Sequence, residues 1–154
     1  MIPGLTVLAV DDSSAIRNLL RAILEAAGHQ VVTADDVRTG LGLLESIRPD
    51  VILTDFNMPE LTGEDFVCRV RADPQHDAIP IFVISSERTL QTRARMAEAG
   101  ANGWIAKPMS PSEILRVLAA VRPGHGRTGL PGARPGHASD PGRQLPQIAR
   151  LAWV

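Results

Sequence analysis

The amino-acid sequence predicts an α/β domain built on a five-stranded parallel sheet. Five short apolar runs alternate with five longer amphipathic stretches between residues 5 and 121. Three of the runs are continuously apolar rather than alternating, which is typical of strands buried on both faces of a parallel sheet. Strands and helices that alternate in this way are joined by right-handed crossovers.

The predicted elements follow one another in order along the chain. Strands are expected at residues 5–10, 30–33, 51–54, 79–84 and 103–106. Helices are expected between and after them, because apolar residues recur every three or four positions. Their stripes are Ile16, Leu19, Leu20, Ile23 and Leu24, then Val37, Leu41, Leu44 and Ile47, then Phe66 and Val70, then a weak stripe in 89–99, then Ile114, Leu115, Leu118 and Val121.

Capping residues mark where several helices begin and end. Thr62 can cap the start of the third helix. The fifth helix has the clearest start, because Ser110 stands at the cap, Pro111 at the first helical position and Glu113 at the third. The expected ends of the first, second and fourth helices are at Gly28, Pro49 and Gly100.

The chain divides into a domain at 1–122 and a tail at 123–154. The domain holds 12 basic and 16 acidic side chains, whereas the tail holds four arginines and Asp140. Eleven of the last 32 residues are glycine or proline, and apolar residues are few. Such a segment buries too little surface to offset its ordering entropy, so it is predicted to be disordered.

Composition excludes several classes of protein. The net charge of −1 gives no general attraction to nucleic acid or to an anionic membrane. Cys68, the single cysteine, cannot form an internal disulfide and is expected to be a small buried residue of the third helix. No signal peptide or membrane-length apolar stretch is visible, which favours a cytoplasmic protein.

Polar residues follow four of the predicted strands. Asp11 and Asp12 follow the first, Asp55 the third, Ser85 the fourth and Lys107 the fifth. Carboxyl ends of parallel strands share one edge, where ligands of open α/β sheets bind. Each residue alone has an ordinary explanation, as a helix cap, a turn former or a strand-end hydroxyl. Their occurrence together at one edge of the sheet predicts a ligand-binding site.

The chemistry of that set indicates phosphoryl transfer. Three close carboxylates repel one another unless a cation lies between them. Oxygen ligands without nearby histidine or cysteine select a hard cation such as Mg²⁺. Lys107 is the only lysine beside fifteen arginines, which indicates a position that needs a compact ammonium. A carboxylate can attack phosphorus while the cations and a hydroxyl neutralise the peripheral oxygens.

These motifs resemble the receiver domain of two-component response regulators over residues 4–122. The resemblance implies a doubly wound, flavodoxin-like sheet of five parallel strands in the order 2-1-3-4-5, with five helices. The residues that carry it are Asp11-Asp12, Asp55-Phe56-Asn57-Met58-Pro59 with Gly63, Ser85, and Gly100-Ala101-Asn102-Gly103-Trp104-Ile105-Ala106-Lys107-Pro108.

The resemblance also implies a role for each site residue. Asp55 would accept a phosphoryl group from a histidine kinase or a histidine phosphotransfer protein. Asp12, Asp55 and the backbone carbonyl of Asn57 would hold Mg²⁺, with Asp11 contributing mainly through water. Lys107 would pair with Asp55 and then with the phosphoryl oxygens, and its bond to Pro108 would be cis.

Two further residues would form the switch. Ser85 would move to hydrogen-bond the phosphoryl group, and the aromatic Trp104 would turn inward behind it. Trp104 stands where the family usually has tyrosine or phenylalanine, and its bulk leaves open whether it turns fully inward. Asn57 and Glu87, two residues past Asp55 and Ser85, resemble chemotaxis-type regulators.

A single-domain regulator that signals by protein contact is therefore expected. Its contact surface would be the fourth helix, fifth strand and fifth helix, and it would be no enzyme beyond its own phosphorylation and dephosphorylation. One alternative is an aspartyl-phosphate hydrolase, although Asn57 stands where such enzymes have their acid. The other is a receiver that binds partners without phosphorylation.

Overall fold

A computed structural model of the chain describes residues 4–87 and 89–121, and the predicted tail at 123–154 lies outside them. Five strands alternate with five helices, as the sequence predicts. The strands are β1 (Thr6–Val10), β2 (Gln30–Ala34), β3 (Val51–Asp55), β4 (Ile81–Ser85) and β5 (Gly103–Ala106). The helices are α1 (Ser14–Ala26), α2 (Val37–Leu43), α3 (Gly63–Arg71), α4 (Leu90–Ala99) and α5 (Pro111–Ala119), with a short 3₁₀ helix at Pro74–His76.

The strands form one parallel sheet in the order β2-β1-β3-β4-β5. The predicted strand order is therefore confirmed. The order reverses between β1 and β3, which opens a crevice beyond the carboxyl ends of these two strands. Residues of the loops that follow β1 and β3 consequently meet at one place.

Two apolar cores lie on opposite faces of this sheet. On β1, Val7 and Ala9 belong to one core, and Leu8 and Val10 belong to the other. This alternation follows from the twofold period of a strand. Residues of α1 and α5 fill the first core, and residues of α2, α3 and α4 fill the second. The sheet is thus covered on both sides, and the site lies at its edge.

Side-chain caps define the helix starts as the sequence predicts. The Thr62 hydroxyl accepts a hydrogen bond from the Asp65 N–H, and the Asp65 carboxylate accepts one from the Thr62 N–H, which completes a capping box. Ser110 caps α5 with Pro111 in its first turn. Gly100 ends α4 at φ 118°, a left-handed conformation that favours glycine.

Two expectations about the helices were wrong. The stripe of α2 was expected to run to Ile47, but the helix ends at Leu43. Gly40 and Gly42 lie within its seven residues, and glycine disfavours helix. Cys68 is exposed on α3 rather than buried. None of the helices among the described residues is long and apolar enough to span a membrane.

Arg71 ties the end of α3 to the amino ends of β4 and β5. Its guanidinium donates to the backbone carbonyls of Gly100 at 3.0 Å and Ile79 at 2.7 Å, and to Asn102 Oδ1 at 2.9 Å. Asn102 Oδ1 also accepts the N–H of Ile81 at 2.9 Å. A planar donor with five N–H groups satisfies several carbonyls at once, which lysine could not do.

His29 is expected to make stability depend on pH. Its ring is buried, and Nδ1 accepts a 3.0 Å hydrogen bond from the backbone N–H of Leu5. Burial lowers the pKa of His29 below its ordinary value of 6.5, because desolvation disfavours the charged ring. The unfolded chain therefore binds this proton more readily. The free energy of unfolding should fall as the pH drops below that value, by at most about 1.4 kcal/mol per pH unit.

Urea unfolding between neutral and mildly acidic pH measures this dependence. His29→Gln retains a neutral acceptor for the Leu5 N–H but cannot take up the proton. The variant should lose the part of the pH slope that belongs to His29, while every other titrating group is unchanged. Equal slopes for the two proteins would contradict the assignment.

Candidate functional site

Four strands deliver polar residues to the carboxyl edge of the sheet. Asp55 and Ser85 are the last residues of β3 and β4, whereas Asp11 and Lys107 directly follow β1 and β5. The register places Asp55 opposite Ile84, and Ser85 opposite Ala106. The backbone N–H of Lys107 donates to the Ser85 carbonyl at 3.1 Å. The predicted convergence of these residues at one edge is therefore found.

Three carboxylates form an acidic cluster in the crevice. Asp11, Asp12 and Asp55 each offer an oxygen, and these oxygens lie within 4.8 Å of one another. Asp11 and Asp55 are buried, whereas Asp12 is exposed. The cluster thus has a desolvated interior and one side that is open to solvent.

Lys107 reaches two of these carboxylates. Its Nζ lies 3.2 Å from Asp11 Oδ2 and 3.4 Å from Asp55 Oδ1. The resemblance implied the pairing with Asp55 but not the one with Asp11, and strand-end spacing does not resolve which oxygen an ammonium reaches. The peptide bond between Lys107 and Pro108 is cis, as the resemblance implied.

The environment of Asp55 opposes its negative charge. Burial raises the pKa of this carboxyl, and the charge of Asp11 raises it further. Lys107 and the backbone N–H of Phe56, which donates to Asp55 Oδ1 at 2.8 Å, lower the pKa but do not outweigh the burial. An added cation would relieve the same repulsion.

Backbone and side-chain donors hold Asp11 in place. Its Oδ1 accepts the N–H of Ser13 at 2.9 Å, and its carbonyl accepts Arg17 Nη1 at 2.7 Å. Its own N–H donates to the Ala34 carbonyl at 3.0 Å. Ser13 and Arg17 were not predicted from the sequence as part of the site. The only available signal was that Ser13 precedes the first helical stripe, as a cap does.

The loop after β3 packs tightly against Gly63. The Gly63 N–H donates to the Phe56 carbonyl at 2.8 Å. A Cβ on Gly63 would lie 2.8 Å from Phe56 Cα and would collide with the Asp55 carbonyl oxygen. Both obstacles are backbone atoms, so a side chain here forces the loop to move. The exposed Asn57, whose carbonyl was predicted to bind the metal, lies in this loop.

Gly63→Ala is expected to destabilise the protein by about 1–3 kcal/mol, the usual cost of overpacking. It should also weaken Mg²⁺ binding, because the displaced loop carries Asn57. Urea unfolding and a Mg²⁺ titration measure the two effects. Gly42→Ala is the control, since a Cβ at Gly42 meets nothing within 4 Å in α2. That variant should gain about 0.5–1 kcal/mol and bind Mg²⁺ normally.

The two predicted switch residues are both buried. Ser85 is 1% exposed, and its Oγ accepts the N–H of Glu87 at 3.1 Å. Trp104 is 3% exposed. Its ring centroid is 6.1 Å from that of Phe56.

The donor set fits a hard divalent cation. The grouped ligands are carboxylate oxygens, and burial opposes the negative charge of one of them, Asp55. A Mg²⁺ ion prefers few protein oxygens together with water and phosphate oxygens. The exposed Asp12 leaves room for both.

Comparison with known proteins gives a consistent result. The family model of the response regulator receiver domain matches residues 7–119. Two-component response regulator ORR11 of Oryza sativa subsp. indica is 37% identical over 119 residues, covering 76% of this chain and 80% of that protein. The phosphate regulon transcriptional regulatory protein PhoB of Pseudomonas aeruginosa is 31% identical over 118 residues, covering 77% of this chain and 52% of PhoB.

Solved structures are similar over the same region. Chemotaxis response regulator CheY4 of Vibrio cholerae has a TM-score of 0.72 and 39% identity, covering 75% of this chain and 97% of that one. The receiver domain of sensor histidine kinase PA1611 from Pseudomonas aeruginosa, solved with magnesium in its active site cleft, has a TM-score of 0.69 and 28% identity, covering 75% of this chain and 95% of that one. With its strand order and acidic crevice, this chain belongs to the receiver domain family of two-component response regulators.

Proposed function

We propose that Asp55 accepts a phosphoryl group from a histidine kinase or a histidine phosphotransfer protein, and that the phosphorylated protein signals by contact with another protein. The observation that carries this proposal is the position of the Asp55 carboxylate. It lies 3.4 Å from the Lys107 ammonium and within 4.8 Å of oxygens of Asp11 and Asp12. A nucleophile and the charges that a phosphoryl group requires therefore occupy one crevice.

The transfer is a displacement at phosphorus. A carboxylate oxygen of Asp55 forms the new O–P bond as the P–N bond of the donor phosphohistidine breaks, and the imidazole leaves with the electron pair. Lys107 is positioned to neutralise a peripheral phosphoryl oxygen. The Ser85 Oγ already accepts a hydrogen bond from the Glu87 N–H. Its hydroxyl proton remains available for donation to a second peripheral phosphoryl oxygen.

Asp12, Asp55 and the Asn57 carbonyl would hold Mg²⁺ directly, with Asp11 acting mainly through water. The engagement of Asp11 with Ser13 and Lys107 supports that indirect role. When bound, Mg²⁺ would neutralise negative charge on the phosphoryl group. We assign no catalytic activity beyond the protein's own phosphorylation and dephosphorylation.

The output would pass through Ser85 and Trp104 to the surface formed by α4, β5 and α5. Phosphorylation would shift a population between two states of this region, because the phosphoryl group contacts them differently. The partner would be a protein, with no nucleic acid or membrane involved. Transfer from a kinase that uses ATP would place the exchange in the cytoplasm. Asn57, Glu87 and the likeness to CheY4 support a chemotaxis-type role.

Incubation with Mg²⁺ and a small acyl phosphate donor tests the proposal. Phosphate should attach to Asp55, should be released by hydroxylamine, and should not attach when a chelator removes the metal. Rapid turnover of unrelated phosphomonoesters would favour the aspartyl-phosphate hydrolase instead. Absence of labelling together with intact partner binding would favour a receiver that acts without phosphorylation.

A further inference from the structure

Three side chains are stacked behind the phosphoacceptor. The Phe56 ring packs against the Trp104 indole, with centroids 6.1 Å apart and planes at 43°. The Arg93 guanidinium carbon lies over the same indole, 5.7 Å from its centroid. That distance is within the range of a cation–π interaction, for which tryptophan is the best acceptor.

The stack leads from the site to α4. Phe56 directly follows Asp55, and its N–H donates to Asp55 Oδ1 at 2.8 Å. Trp104 belongs to β5, and Arg93 belongs to α4. A displacement of the Asp55 carboxylate can therefore reach α4 through contacts between three neighbouring side chains.

Arg93 differs from the other arginine nearby. Its Nε is buried and has no hydrogen-bond partner among the described residues. Arg95, two residues later, instead binds Glu64 of α3 with a 2.6 Å ion pair and is largely exposed. A buried donor without a partner costs free energy. The cation–π contact with the Trp104 indole offsets part of that cost for the Arg93 guanidinium.

We infer that Arg93 is a positioning residue that holds the Trp104 indole in its buried orientation and so couples α4 to the state of Asp55. Its contact with Trp104 favours the buried indole before any phosphoryl group arrives. The coupling to Asp55 rests on the proposed phosphoacceptor function, whereas the hold on Trp104 does not. Arg93 would thus set the proportion of buried and exposed Trp104 indole in the unphosphorylated protein.

The first experiment measures the indole without phosphate. Trp104 and Trp153 are the only tryptophans, so Trp153→Phe leaves a single site for 5-fluorotryptophan. Relaxation dispersion of the ¹⁹F signal reports the population of the exposed indole. Arg93→Met keeps an unbranched apolar stem but removes the cation. Loss of the cation–π contact should raise the exposed population about fivefold.

The matched control is Arg95→Met, which removes a cation and an ion pair from the same helix without touching Trp104. It should leave the exposed population unchanged. A rise of threefold or more that is confined to Arg93→Met supports the hold on Trp104. A smaller rise, or an equal rise in the control, overturns it.

The second experiment adds Mg²⁺ and beryllofluoride, which mimics a phosphoryl group. In Arg93→Met the mimic should lower the exposed population toward the wild-type value. Failure to lower it in a variant that binds the mimic overturns the coupling to Asp55. If the mimic does not perturb the amide signals around Asp55 in the wild type, the proposed function fails, and the first experiment still decides the role of Arg93.

Discussion

Asp55→Asn is expected to abolish phosphorylation and to stabilise the folded protein. The amide cannot attack phosphorus, so labelling from the donor should fall to background. Stability should rise because the wild-type carboxylate is buried beside Asp11, and its pKa is raised for that reason. Folding thus opposes the negative charge of Asp55, so near pH 7 the ionised carboxylate costs stability that the amide does not. We expect a gain of about 0.5–2 kcal/mol, measured by urea unfolding without metal.

Asp50→Asn is the matched control. Asp50 is 1% exposed, and its Oδ2 accepts the backbone N–H of Thr6 at 2.8 Å, at the opposite end of the sheet from Asp55. The same substitution weakens a charge-assisted hydrogen bond there and should cost roughly 1 kcal/mol. Labelling of Asp50→Asn should be normal. Undiminished labelling of Asp55→Asn would refute the phosphoacceptor, and a loss of its stability would refute the electrostatic argument.

Mg²⁺ should reduce the difference in stability between Asp55→Asn and the wild-type protein. A ligand that binds only the folded protein stabilises it according to its concentration relative to its dissociation constant. Wild-type protein should gain more from Mg²⁺ than Asp55→Asn does, because the variant lacks one of the three grouped carboxylates. Functional sites of this kind retain a repulsion that a ligand relieves.

The fold could be predicted from the sequence because its signals are local. Apolar strands, the Thr62 and Ser110 caps and the glycine after α4 each act within a few residues. The convergence of Asp11, Asp55 and Lys107 followed from strand direction alone. The direction of a strand determines which edge of the sheet its last residue reaches, whatever the conformation of the side chain.

Other features depend on contacts between residues distant in the sequence. The pairing of Lys107 with Asp11 joins residues that are 96 positions apart. The Nζ distances to Asp11 and to Asp55 differ by less than 1 Å, which strand spacing cannot resolve. The bonds of Arg71 to several carbonyls and the position of Arg93 on Trp104 follow from tertiary packing. A helical stripe predicted α2 too long, since periodicity does not account for the weak propensity of Gly40 and Gly42.

Lys107→Arg is expected to separate phosphorylation from its structural consequence. The ammonium contacts Asp11 and Asp55 as a compact charge on a flexible stem, and the side chain is only 21% exposed. A guanidinium also supplies positive charge, so phosphorylation of Asp55 should persist, at a rate within about tenfold of the wild type. The planar group is broader than an ammonium, so it fits poorly beside Asp11 and Asp55 and should not follow the phosphoryl oxygens as an ammonium does. Amide signals of β4 and β5, recorded with and without Mg²⁺ and beryllofluoride, should therefore shift at least about tenfold less.

Lys107→Met separates the loss of charge from the change of shape. Without a cation, Asp11 and Asp55 repel each other across the crevice, which should cost about 1–3 kcal/mol in stability and slow phosphorylation strongly. If Lys107→Arg shows the full wild-type shift of amide signals, a positive charge of any shape is sufficient, and the sole lysine of the chain has no special role. If Lys107→Arg fails to be phosphorylated, the ammonium is required for the chemistry itself. Only retained phosphorylation with a lost structural response shows that a compact charge at residue 107 carries the signal from Asp55 into β5.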